Sequence, residues 1–251
     1  MDFNIRKPTH LLSLFILVAT FCLIIILPIY SFFTSSLSVD SNQMMELSSF
    51  SKLIIELITL FLQIIIVAIG VFIVVPFIWY TIVNELKYKE ILDRIKLRKE
   101  GYKLAIFWGI IFTVLMFIII VIISASIQVL GYNLEESSNI TDLEQFFSLP
   151  SIFIIVAFQP IGEEIFFRGF LFDKINSLSD KRTAIILTSI IFGIAHLSYG
   201  NIFPAIMTGI LGLILAYLVV KTKNLISAIV AHILFNVTSV ILYVLGQSLM
   251  P

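Results

Sequence analysis

Charge is what this sequence is shortest of. Asp, Glu, Lys and Arg make up 13% of its 251 residues, about half of the roughly 25% found in soluble domains. Apolar residues reach 59% and the mean hydropathy is +1.09, which excludes a water-soluble globule and describes a membrane protein. Cysteine is nearly missing as well. Cys22 stands alone, so no internal disulfide can form and the redox compartment is not readable. Neither sign of charge is in excess, because sixteen basic residues balance sixteen acidic ones, and no nucleic-acid partner is expected. The HExxH pattern of soluble metalloproteases, a GxSxG elbow and a glycine-rich phosphate loop are all absent, as are internal repeats.

What is present is apolar length. Seven hydrophobic runs lie at about 10–33, 53–82, 104–130, 149–172, 183–198, 202–220 and 225–245. A helix needs roughly 20 residues to cross the ~30 Å hydrocarbon core. The expected fold is therefore all-α, a polytopic bundle of about seven transmembrane helices, with 183–198 a short or tilted span. Pro76 in the second run predicts a tilt or kink there. The first run is too long for the hydrophobic part of a signal peptide, and Phe21 before Cys22 does not suit a lipoprotein signal, so it reads as a retained helix.

Orientation follows from Lys and Arg, which accumulate on the cytoplasmic side. Fourteen of the sixteen basic residues fall on alternate connections: the N-terminal tail, 84–103, 173–182 and 221–224. That places the N-terminus in the cytoplasm. Lys52 lies on the other side, and Arg168 alone falls inside a span. The chain divides into 1–148, three spans with the cytoplasmic loop 84–103, and a membrane core at 149–245. Loop 84–103 mixes Leu86, Ile91, Leu92 and Ile95 with both signs of charge. It reads equally as an amphipathic surface helix or as a solvated extension of its neighbours. "NIT" at 139–141 matches a glycosylation acceptor but is short enough to arise by chance.

Ionisable residues inside a bilayer point to function because the bilayer penalises them. Here they are Glu163, Glu164 and Arg168 in the fourth run, His196 in the fifth, and His232 with Asn236 in the seventh. Glu56 sits near an interface where it can reach water. At 1.5 Å per residue His232, Glu164, Glu163, Asn236 and His196 lie between about 11 Å (His232) and about 20 Å (His196) from the basic side, one layer of the membrane. Residues four apart share a helix face, so Glu164 can pair with Arg168, and His232 and Asn236 point the same way. Glu163, rotated by about 100° from Glu164, stays free of that pair to act as a general base. Pro160 just upstream frees backbone groups that polar side chains can satisfy. Phe192, Gly169, Gly193 and "GILGLIL" (209–215) read as packing.

A carboxylate base, two imidazoles, an amide and an arginine fit water activation by Glu163 with His196. His232 and Asn236 would then donate to an oxyanion, and amide hydrolysis is the natural reaction class. Glu163, His196 and His232 are equally a zinc ligand set, and the residues leave both cases open.

Taken in order, "EEIFFR" (163–168), "FGIAH" (192–196) and "HILFN" (232–236) match the motifs EExxxR, FxxxH and HxxxN. They resemble the CAAX protease and bacteriocin-processing (CPBP, or Abi) family of intramembrane proteases, whose eukaryotic members include the CAAX prenyl endopeptidase. The resemblance covers about residues 149–245. It implies a multi-helix intramembrane endopeptidase with its site open to the cytoplasm. In that reading Glu163 activates water with His196, Glu164 and Arg168 support and position, and His232 and Asn236 form the oxyanion site. It also favours a glutamate-activated water over a metal, because Asn236 is a poor ligand beside His232. The implied partners are the lipid bilayer and a membrane-associated peptide or protein tail, prenylated in the eukaryotic branch and tied to bacteriocin maturation or immunity in prokaryotes. A composition rich in Lys, Ile, Phe and Asn leans toward a bacterial plasma membrane. Two other functions compete, a non-catalytic scaffold or immunity partner and an ion-coupled transporter. The transporter would want matching charges in both halves, and the first three spans hold no counterpart to the charges that crowd into the later ones.

Overall fold

The computed structural model describes residues 3–34, 48–131, 144, 147–197 and 202–249; the "NIT" segment lies outside them. Eight helices and no strand are found among the described residues. Six are long and apolar enough to cross a membrane: α1 (Pro8–Phe33), α2 (Ser49–Ile82), α4 (Tyr102–Val129), α5 (Leu149–Leu178), α7 (Phe203–Thr222) and α8 (Ile226–Leu249). The other two are α3 (Tyr88–Arg94) and α6 (Lys181–Ile194). The sequence predicts a short span at 183–198. The structure forms there a helix of 14 residues, about 21 Å long at the α-helical rise and too short to cross.

Helix α5 is the axis of the bundle. In its most apolar stretch 56% of residues are buried, against 17% in α1. It runs on to Leu178, past the predicted end at 172, because Asp173 finds partners beyond the apolar run. Tyr80 Oη donates to its carboxylate at 2.9 Å and Arg94 Nε pairs with it at 2.8 Å. The core gathers on the aromatic run of α5, where Phe166, Phe167 and Phe170 are buried with Phe72, Tyr80 and Phe192.

Three stretches turn more widely than an α-helix, Cys22–Ile26 in α1, Leu62–Val74 in α2 and Ile165–Leu171 in α5. Pro28 and Pro76 stand just beyond the first two. A proline has no N–H and its ring crowds the carbonyl four residues back, so the turn before it must loosen. The predicted disturbance at Pro76 is therefore real, and α2 absorbs it without breaking.

The basic segments meet at one end of the bundle. Lys7 pairs with Glu85 at 3.2 Å. Leu225 donates its N–H to the Lys96 carbonyl at 2.8 Å, and Asn224 Nδ2 donates to the carbonyls of Arg98 and Glu100 at 3.0 and 3.1 Å. Segment 84–103 is neither of the two forms read from sequence. It folds back across the bundle end, burying Ile91 and Ile95 completely and laying Ile95 against Gly169. At the opposite end Glu56 of α2 accepts from Ser148 N at 2.9 Å and from the hydroxyls of Ser148 and Ser151. A residue set aside as merely wetted thus caps α5 from a neighbouring helix, satisfying donors that a helix start leaves open.

Candidate active site

The polar centre is built on consecutive turns of α5. Glu163, Glu164 and Arg168 are all buried there, and the wide turn Ile165–Leu171 carries Arg168. The ion pair expected from the four-residue spacing forms, with Arg168 Nη1 donating to Glu164 Oε1 at 2.8 Å. The guanidinium also donates through Nη2 to the Gly212 carbonyl of α7 at 3.4 Å, and it lies 4.0 Å above the ring of Phe192. A Cβ at position 212 would meet Arg168 Nη2 at 3.3 Å and Ser189 Cα at 3.2 Å. Glycine in the "GILGLIL" stretch therefore leaves room for the guanidinium as well as for helix packing. Arg168 Nε and Glu164 Oε2 are buried without hydrogen-bond partners, an open capacity characteristic of polar sites that take water or ligand.

His232 comes in from α8 between the two glutamates. Its Nδ1 lies 2.9 Å from Glu164 Oε1, and its Nε2 lies 3.8 Å from Glu163 Oε2. A carboxylate only accepts, so the proton of this contact sits on Nδ1 and Nε2 is turned toward Glu163. One imidazole thus links the two carboxylates.

Glu163 takes no part in the Arg168 pair, as its rotation on the helix predicts. Its Oε1 instead accepts from Gln159 Nε2 at 2.7 Å, and Gln159 Oε1 accepts from Gln63 Nε2 at 2.6 Å. Helix α2 can come this close because position 162 is glycine. A Cβ there would lie 2.4 Å from the Ala68 carbonyl oxygen and 3.1 Å from Phe72 Cβ.

His196 stands just past the end of α6, half-buried. Its Nδ1–H donates to the Phe192 carbonyl at 2.8 Å, one of the acceptors that a helix end leaves open, so Nε2 remains the ring's acceptor. It reaches the centre through Phe192, whose ring is 4.7 Å from His196 and 5.8 Å from His232, centroid to centroid. Phe192, read from sequence as packing, is the partition shared by both histidines and the guanidinium. Asn236 lies one turn beyond His232 on α8 and is half-buried.

The structure thus joins Glu163, Glu164, Arg168 and His232 directly, brings His196 in through an aromatic ring, and sets Asn236 alongside on α8. Sequence reasoning missed Gln63 and Gln159. Both carried a signal: Gln159 is four residues before Glu163, on the same face, and Gln63 is the one amide in the apolar run of α2. No group of three or more His, Cys, Asp or Glu side chains arranged to hold a metal occurs among the described residues. Glu163, His196 and His232 do not converge into the ligand set that their types allow.

Fold and site together define a polytopic helical membrane protein with a buried glutamate–histidine–arginine centre. Residues 145–238 match the family described as Rce1-like, type II CAAX prenyl endopeptidase Rce1-like. An uncharacterized protein of Mycoplasma capricolum subsp. capricolum is 35% identical over 160 residues, covering 58% of this chain and 46% of that protein. The candidate membrane peptidase YdiL of Bacillus subtilis is 27% identical over 147 residues, covering 58% of this chain and 59% of YdiL. The chain thus spans about half the length of the curated relatives it matches. No solved structure matches.

Proposed function

We propose that this chain is an intramembrane endopeptidase that hydrolyses peptide bonds of membrane-associated peptides or protein tails with a water activated by Glu163. The observation that carries the reading is the unequal treatment of two adjacent glutamates. Glu164 is bound by Arg168 and His232 through Oε1. Glu163 is held only by the neutral amide of Gln159, and its Oε2 faces His232. A carboxylate kept in place and outside the Arg168 pair can accept a proton.

Glu163 Oε2 takes a proton from water while His196 Nε2 accepts the other water hydrogen as a hydrogen bond. The hydroxyl oxygen adds to the substrate carbonyl carbon, and the carbonyl oxygen becomes the oxyanion. His232, protonated at Nε2 and backed by the Glu164 carboxylate, donates to that oxyanion, and the Asn236 amide supplies a second donor. Glu163 then returns its proton to the amide nitrogen as the C–N bond breaks, leaving a carboxylic acid and an amine. Arg168 balances Glu164 and so holds His232 in this orientation. No step runs through a metal. The Lys- and Arg-bearing end of the bundle lies toward the cytoplasm in this reading, and the bilayer supplies the substrate.

The test is cleavage of a fluorogenic farnesylated peptide, and of a set of membrane-associated bacterial peptides, by the purified protein in liposomes. Wild type should cleave at least one substrate, and Glu163→Gln should lose at least about 100-fold while keeping its thermal midpoint. Cleavage by the variant at the wild-type rate would remove Glu163 from the chemistry. A well-folded wild type that cuts none of these peptides would favour the scaffold reading.

A further inference from the structure

The first three helices carry no family motif, yet one of them reaches the site. Gln63 of α2 and Gln159 of α5 are both half-buried. They join end to end: Gln63 Nε2 donates to Gln159 Oε1 at 2.6 Å, and Gln159 Nε2 donates to Glu163 Oε1 at 2.7 Å. The order of donors and acceptors is forced from the Glu163 end, because a carboxylate cannot donate and must face the NH2 of Gln159. The carbonyl of Gln159 then faces Gln63, which has to offer its own NH2. Turning Gln159 over would set oxygen against oxygen at one contact and nitrogen against nitrogen at the other. Gln63 therefore fixes which way Gln159 points, without touching Glu163.

We infer that Gln159, locked by Gln63, is a positioning residue for Glu163, and that α2 is a working part of the site. The inference rests on the reading of Glu163 as the base. The pair ties down Oε1 and leaves Oε2 on the His232 side, 3.8 Å from Nε2. An amide suits this task better than a cation. Lys or Arg at 159 would form a second ion pair and remove the proton-accepting power that distinguishes Glu163 from Glu164. A plain hydrogen-bonded staple between two membrane helices would also link Gln63 to Gln159. However, a staple predicts a change in stability alone, whereas positioning predicts a change at Glu163.

The two are separated by Gln159→Leu, Gln63→Leu, the double variant and Gln63→His, each as full-length protein in liposomes. The first readout is kinetics on a fluorogenic farnesylated peptide. Gln159→Leu should lower kcat about tenfold or more with KM within about twofold. Gln63→Leu should lower kcat by several-fold, the double variant should be no worse than Gln159→Leu, and Gln63→His, which keeps a donor, should restore most of the rate. The second readout needs no activity. It is the rate at which a lipophilic carbodiimide modifies Glu163, followed by mass spectrometry with Glu164 as internal reference. Freed of its donor, Glu163 should react several-fold faster in Gln159→Leu and in Gln63→Leu, without further gain in the double variant. Unchanged labelling of Glu163 in Gln63→Leu overturns the inference, whatever cleavage does. So do additive effects of the two substitutions. If wild type cuts no peptide but the labelling pattern appears, the positioning pair stands and the peptidase reading falls.

Discussion

Arg168→Leu removes the cation of the buried centre and should be among the most damaging single substitutions in this chain. Arg168 is 1% exposed and Glu164 is 0% exposed, so the carboxylate left behind has no water to turn to. Taking away one partner of a buried pair costs about 3–5 kcal/mol, most of it from stranding the other charge. The contact of the guanidinium with Phe192 at 4.0 Å is lost as well. At this chain length each kcal/mol moves a thermal midpoint by about 2–4 °C, so the variant should melt roughly 6–20 °C below wild type, followed by circular dichroism in detergent. If the stranded charge is the cause, removing it must help. Glu164→Gln added to Arg168→Leu should recover about half of the loss, since an amide at 164 can still accept from His232 Nδ1. Arg168→Lys should not rescue, because an ammonium cannot at once pair with Glu164, reach the Gly212 carbonyl and stack on Phe192. A midpoint for Arg168→Leu within about 3 °C of wild type, or a double variant whose loss equals the sum of the singles, would refute the reasoning.

Gly162→Ala should destabilise by about 1–3 kcal/mol, because its Cβ would lie 2.4 Å from a backbone oxygen of α2; the thermal midpoint checks this, and no change would mean that α2 is not seated as described. Glu56→Ala should cost about 1–2 kcal/mol and speed hydrogen exchange in the first turn of α5, where Ser148 N loses its acceptor. Asp180 caps α6 and accepts from the Thr183 hydroxyl and from the N–H groups of Thr183 and Arg182, which together hold its carboxyl below the usual range. A carboxyl with a lowered folded value contributes stability above its unfolded pKa of about 3.9 and loses it as pH falls further. Hydrogen exchange in the first turn of α6 should therefore be faster in Asp180→Asn than in wild type at pH 7, and the difference should shrink near pH 3; a difference that grows on acidification would contradict the cap.

Much of this molecule is legible in its sequence because a bilayer admits few solutions. Six of the seven apolar runs are helices long enough to span, since a backbone in hydrocarbon must satisfy its own hydrogen bonds. The fifth run (183–198), short already in the sequence, forms a helix of 14 residues that does not reach across. The Glu164–Arg168 pair was readable from a spacing of four. The place of His232 was not, because the distances from one imidazole to two glutamates depend on how α8 packs against α5. Gln63 was harder still. A lone amide in an apolar run is compatible with many partners, and only the close approach at Gly162 selects Gln159. Segment 84–103 was ambiguous for a related reason. Its apolar residues suit a membrane surface as well as a bundle end, and the deciding contacts, Ile95 with Gly169 and Leu225 with the Lys96 carbonyl, come from far along the chain.

The charge balance of the centre follows from these contacts. Two buried carboxylates stand beside one guanidinium, and Arg168 pairs with Glu164. A buried site tolerates an unpaired charge poorly, and the imidazole that lies against both glutamates belongs to the same polar network. An arginine placed beside Glu163 would give it the same ion pair as Glu164 and remove the difference between two neighbouring glutamates. The chain instead gives Arg168 to Glu164 and an amide to Glu163, so identical side chains, one residue apart, stand in different electrostatic surroundings.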